Sequence, residues 1–184
     1  MIREVTVALL ITYMLLAIGI SFVCSIMEAV LLSITPSYVA SLKKQKPKLA
    51  ARINSLKEKV DQPLAAILTL NTVAHTAGAA GVGAQAAAVF GDAAIGIASA
   101  VMTLLVLVLS EIIPKTLGAN YWRQLTPIVS SSLVVMVRLL KPFIWLSDII
   151  TKMLGSKQSE SHYIRAEIEP MAEMGTEPGA LHQE

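Results

Sequence analysis

Long uncharged apolar stretches alternate with short polar ones along this chain. The first, Val5 to Met27, runs 23 residues without a charge. A helix needs about 20 apolar residues to cross a ~30 Å hydrocarbon core. Arg3 ahead of an apolar run has the outline of a signal peptide, but such a core is only about 7–15 residues long. The pattern therefore predicts a retained first span over about 5–32, with Glu28 near its end. A second span is predicted over 63–90, which lacks Asp, Glu, Lys and Arg and carries ten alanines plus Gly78, Gly81 and Gly83. In lipid, helices associate by close packing through small residues, so this helix should sit centrally in a bundle. Gly91-Asp92 makes a turn, and a third span is predicted over about 93–118, uncharged as far as Ser110.

Two stretches show a different period. Between 33 and 62, Tyr38, Leu42, Leu49, Ile53, Leu56 and Val60 recur at helical spacings. Thr35-Pro36 suits an N-cap and first turn, and Pro47 should divide the stretch into two short helices. Over 121–154 the clean apolar core, Pro127 to Val137, is 11 residues, too short to span. Both stretches, about 36–60 and 121–154, are expected to be amphipathic helices along the membrane interface, with Trp122 and Trp145 at headgroup level.

Composition sharpens this picture. Hydrophobic residues make up 54% of the 184 and charged residues 15%, against about 25% charged in a soluble domain. Mean hydropathy is +0.64. The net charge is only +2, but the charges are segregated. Lys43, Lys44, Lys46, Lys48, Arg52, Lys57 and Lys59 crowd the first polar loop, which places it in the cytoplasm. Three spans then put the N-terminus outside the cytoplasm and the C-terminal flank inside. A basic face adjoining a span argues against nucleic-acid binding. Cys24 is the one cysteine, which excludes an internal disulfide, and in an apolar run a small buried side chain is expected rather than a reactive thiol. From Ser156 to Glu184, six glutamates stand against Lys157 and Arg165, and Ile164, Ile168, Met171 and Met174 keep helical spacing. This reads as the start of an acidic cytosolic helical segment that continues into a further soluble domain.

Polar groups within the spans are the candidate chemistry, because they are costly in lipid. Ser25 and Glu28 lie three apart on one helical face. Asn71 precedes His75 by four. Ser110 and Glu111 precede Pro114 and Lys115. Proline has no N–H, so in an α-helix Pro114 frees the carbonyl of Ser110 beside a carboxylate. Carboxylate, amide, hydroxyl and carbonyl oxygens suit a hard cation such as Mg²⁺. The alternative is that Glu111 and Lys115, four apart, simply pair.

These three clusters resemble the signatures of the CNNM/CorC family, whose membrane part is the DUF21 domain. Ser25-Ile26-Met27-Glu28-Ala29 is similar to its Ser-x-x-Glu motif, Asn71-Thr72-Val73-Ala74-His75 to its Asn-rich motif, and Glu111-Ile112-Ile113-Pro114-Lys115-Thr116 to its most distinctive one. Residues 164–181 resemble the acidic helical segment that precedes the family's CBS-domain pair. Met27 stands where many relatives have a small polar residue, and His75 where many have Asn. The resemblance implies an all-α membrane homodimer with three spans per subunit and a juxtamembrane helical belt. It implies Mg²⁺ transport, as export coupled to Na⁺ entry, with ATP acting only through CBS domains outside this sequence. It carries the Mg²⁺ ligand role to Ser25, Asn71 and Glu111. Ser110 joins them through its carbonyl, with Glu28, His75, Pro114 and Lys115 as supporting or gating groups.

Two other functions compete. A membrane scaffold acting through its cytosolic domains needs no intramembrane acids, yet Glu28 and Glu111 are there. An intramembrane enzyme lacks support: there is no His-Glu-x-x-His motif, Asp61, Asp92 and Asp148 form no pair, and no nucleophile elbow surrounds Ser25 or Ser110. The expectation is a transporter rather than an enzyme, in contact with membrane lipids.

Overall fold

A computed structural model describes residues 2–153, and no strand occurs among them. Residues through Leu146 form one compact unit. Ser147 to Glu184 form a second, in which helical backbone is described through Met153. The expected acidic segment, 156–184, lies outside the described residues.

Among the described residues three helices are long and apolar enough to cross a membrane: Arg3–Ser33, Asp61–Phe90 and Ala94–Asn120. The first lies within α1 (Ile2–Ser33), and the second is α4 (Asp61–Phe90). The third is composite: α5 (Ala94–Leu105), a π-helical segment (Val106–Ile112) and α6 (Ile113–Asn120). Large apolar side chains on all three face outward, among them Leu16, Leu68, Ile97 and Leu104. Water would not tolerate such a surface on a monomer, whereas lipid does. Gly91, at a φ of 86°, closes α4 and turns the chain into the third span. Its backbone is in the region that glycine adopts without steric cost.

The first polar loop forms α2 (Pro36–Gln45) and α3 (Pro47–Glu58). The division falls at Lys46, directly before Pro47, as the sequence predicts. Thr35 caps α2, its hydroxyl accepting the Tyr38 N–H at 3.4 Å. The stretch after the third span forms α7 (Trp122–Leu139) and α8 (Lys141–Met153), separated at Leu140. The single interfacial helix expected there is thus two, and Pro142 at the second position of α8 accounts for the break.

The amphipathic helices do more than rest on headgroups. Leu42, Ile53, Leu56, Leu133 and Met136 are buried in one core with Met27, Val30 and Leu31 of α1 and with Ala66 and Ile67 of α4. Their apolar stripes therefore wrap the C-terminal half of α1. Pro127 helps join α7 to α2. It offers no N–H to the carbonyl of Arg123, and the Tyr38 hydroxyl donates to that carbonyl instead, at 3.3 Å. The Tyr38 ring also meets Trp122 edge-on, with centroids 4.8 Å apart. A smaller core of Ala17, Val82 and Met102 holds the three spans together nearer the other end.

Close approach between spans depends on glycine. A Cβ on Gly118 would lie 2.8 Å from the Ala29 Cβ and 3.0 Å from the Ile26 carbonyl oxygen, so α6 and α1 meet backbone to backbone. Gly81 lies against the ring of Tyr13, and Gly78 against Ala17. Two of the three glycines of the second span, Gly78 and Gly81, are thus used inside the subunit, between α4 and α1.

Candidate ion-binding site

The polar groups of the three spans converge toward the C-terminal half of α1. Glu111 is the hub. Its Oε1 accepts a hydrogen bond from Asn71 Nδ2 at 3.1 Å, tying the third span to α4. Its Oε2 lies 2.9 Å from Lys115 Nζ, one turn on. The same ammonium lies 3.5 Å from Glu28 Oε2, tying the third span to α1. One lysine thus faces two carboxylates from different helices. Glu111 is the more enclosed acid, with 24% of its side chain exposed against 32% for Glu28.

Two buried oxygens in these motifs have no hydrogen-bond partner: Ser25 Oγ and Asn71 Oδ1. Ser25 is only 1% exposed. The contrast with other hydroxyls is informative. Thr12, Thr69, Thr76, Thr103 and Thr116 each donate to the carbonyl four residues back. That is the local solution available to a hydroxyl in lipid. Ser25 does not take it, although the geometry of α1 offers the same bond. A buried polar atom left unpaired costs about 1–3 kcal/mol, which sets these two oxygens apart from the bonded hydroxyls of the spans. Asn71 spends its donor on Glu111 and keeps its acceptor unused.

Ser110 behaves differently. It is fully buried, and its hydroxyl donates to the Ile18 carbonyl at 3.2 Å, bracing the third span against α1. The π-helical segment also changes what Pro114 does. The N–H of Ile113 bonds to Val108, five residues back. In that register the carbonyl left without a donor by Pro114 belongs to Leu109, one residue before Ser110. The expectation from α-helical spacing is therefore corrected by the wider turn. Single π-helical stretches inside helices occur frequently at functional sites.

His75 points to a different partner. Its Nε2 shares a 2.7 Å hydrogen bond with Ser21 Oγ. Ser21 was not among the candidates, yet it stands four residues before Ser25 and seven before Glu28, on the same face of α1. That stripe was the available signal. Among the described residues no three His, Cys, Asp or Glu side chains cluster as a metal site. The donor set here is two carboxylates and neutral oxygens, with the lysine as counter-charge.

This geometry accompanies a sequence match. Residues 11–184 match the Cyclin M transmembrane N-terminal domain, CNNM. The chain belongs to that family. Relatives of this CNNM domain extend well beyond it. A UPF0053 protein of Synechocystis sp. is 29% identical over 161 residues, covering 88% of this chain and 46% of its own length. The UPF0053 inner membrane protein YfjD of Escherichia coli is 32% identical over 111 residues, covering 60% of this chain and 26% of its own. A DUF21 domain-containing chloroplastic protein of Arabidopsis thaliana is 30% identical over 172 residues, covering 91% and 26%. The CNNM domain thus spans about half the length of the first relative and about a quarter of the others. It is a membrane domain by its family and by its three apolar helices.

Proposed function

We propose that this domain is the ion-conducting part of a Mg²⁺ transporter, with Mg²⁺ as cargo in a site formed by Ser25, Asn71 and Glu111. The observation that carries the reading is the pair of orphaned buried oxygens, Ser25 Oγ and Asn71 Oδ1, in motifs tied to an intramembrane carboxylate. Acceptor oxygens without donors attract a cation, and hard oxygen ligands favour Mg²⁺ over softer metals. Ser110 braces the site: its hydroxyl is engaged by the Ile18 carbonyl, and the carbonyl that Pro114 frees is that of Leu109.

Lys115 supplies the exchange. Without cargo it neutralises Glu111 and Glu28 together, so no bare charge is stranded in the membrane. When Mg²⁺ enters, the ammonium is displaced toward Glu28 or water; it is 43% exposed and has room to swing. We further propose export driven by Na⁺ entry, a homodimer, an extracytoplasmic N-terminus with a cytoplasmic C-terminal flank, and ATP acting only through CBS domains beyond this chain. The basic loop on α2 and α3 supports the orientation. The exposed alanine and threonine face of α4, including Thr72, Thr76, Ala80 and Ala84, supports the homodimer.

The test is Mg²⁺ flux from liposomes holding the full-length protein, with and without an opposing Na⁺ gradient. Flux that rises with the Na⁺ gradient is expected. Mg²⁺ flux indifferent to Na⁺ would refute the coupling but keep the ion. No flux at all would favour the scaffold reading, whose support is the ion pair of Glu111 with Lys115.

A further inference from the structure

We infer that the junction of α2, α3 and α7 is a binding site for the phosphate of an anionic phospholipid headgroup. Here the chain forms an open cleft of about 590 Å³, lined by Lys46, Lys48 and Arg52 on one side and by Pro127 and Ser131 of α7 on the other. Among the described residues no acidic side chain lines it. All three cations are exposed. Glu58, the acid of α3, is occupied elsewhere by the Asn54 amide at 2.7 Å.

The backbone adds to the charge. α3 begins at Pro47 on the rim of the cleft, and its N-cap, Lys46, makes no side-chain capping bond. The first turn bonds back only from Leu49 and Ala50, both to the Lys46 carbonyl. Pro47 has no N–H, so the amide this turn leaves without a backbone bond is that of Lys48, which lies at the positive end of the helix dipole, the end that favours an anion. Arg52 donates to the Ser131 hydroxyl, whose own proton goes to the Pro127 carbonyl at 3.0 Å, and this chain fixes the guanidinium at the cleft and ties α3 to α7. Three cations and a helix-terminal amide in one concave site are groups that recognise a phosphate.

The position selects a lipid source. α2, α3 and α7 bury their apolar faces against the end of α1, where the span leaves the apolar region. Their polar faces therefore lie at headgroup height, and beside them α1, α4 and the third span offer exposed apolar flanks to acyl chains. A lipid reaching the cleft satisfies both parts. The site is distinct from the ion path and does not depend on transport.

Titration of short-chain phosphatidylglycerol or phosphatidylcholine into the full-length protein in neutral detergent tests this, because no charged bilayer is present to attract lysines generally. Phosphatidylglycerol should bind more tightly than phosphatidylcholine. A direct ion pair to the phosphate at such an exposed site contributes up to about fivefold. Lys48→Gln should therefore weaken phosphatidylglycerol binding by up to about fivefold, and Lys48→Gln with Arg52→Gln by up to about 25-fold. Lys43→Gln with Lys44→Gln, which removes the same charge from α2 outside the cleft, should change it less than about twofold. Ser131→Ala keeps the charge and loses only the tie, so the preference should survive. Equal losses in the two double variants would overturn the site, as would equal affinity for the two lipids or a Ser131→Ala loss matching the cleft variants. Inorganic phosphate binding as tightly as phosphatidylglycerol would overturn the lipid assignment.

Discussion

Replacing Glu111 by Gln separates an ion ligand from a structural ion pair. Gln keeps the shape and an Oε1 that still accepts the 3.1 Å bond from Asn71. What is lost is the charge facing Lys115 at 2.9 Å. Lys115 is 43% exposed and retains Glu28 at 3.5 Å. Pairs this open contribute about 0.2–1 kcal/mol, so folding should weaken by no more than about 1 kcal/mol and the protein should stay monodisperse. The loss to cargo is larger. Removing groups that only orient metal ligands costs about 10–100-fold in affinity. Removing the charged ligand itself should cost at least about 100-fold, which takes Mg²⁺ flux to background. Lys115→Met should impair flux less, because both carboxylates remain. The assay is Mg²⁺ flux in liposomes beside size-exclusion behaviour. Normal flux in Glu111→Gln would refute the ligand role, and an aggregated protein would return Glu111 to a structural one.

Gly118→Ala should destabilise the domain by about 1–3 kcal/mol, because its Cβ would press on Ala29 and the Ile26 carbonyl. Gly83→Ala, where nothing lies within 4 Å, should be neutral or slightly stabilising. Thermal unfolding in detergent compares the two, and equal effects would contradict the close approach of α6 to α1. Gly81→Leu should perturb packing against Tyr13 within one subunit; a variant that alters only oligomer size, with unfolding unchanged, would place Gly81 at an interface instead. Cysteines introduced at Asp92 and at Ser159, with Cys24 replaced, should label from opposite faces of the membrane. Labelling from the same face would sink the three-span topology.

Much of this architecture was legible because lipid imposes simple rules. Uncharged runs marked the spans, and proline marked the starts of α2 and α3. The period of Leu42, Ile53 and Leu56 marked a buried stripe, though not what would cover it. That stripe packs on α1, a tertiary fact no local pattern carries. The site was legible as three motifs, and the links from Asn71 to Glu111 and from Lys115 to Glu28 join them across three helices. Three features were not legible. The π-helical segment has no sequence period of its own, so the carbonyl freed by Pro114 was assigned one residue late. His75 finds Ser21, whose place on the face of Ser25 and Glu28 was a signal, but whose pairing across helices was not. Gly78 and Gly81 are small residues whose partner, inside or outside the subunit, only the packing decides.

Isothermal titration of Mg²⁺ into purified wild-type protein, Ser25→Ala and His75→Ala tests the central claim most directly. Ser25 Oγ is buried without a partner, so its removal should not harm folding and should weaken a site it serves. The account predicts Mg²⁺ binding in the wild type, a clear loss of affinity in Ser25→Ala, and a smaller change in His75→Ala, whose ring is engaged by Ser21. No Mg²⁺ affinity in the wild type, together with tight Zn²⁺ binding that disappears in His75→Ala, would contradict it.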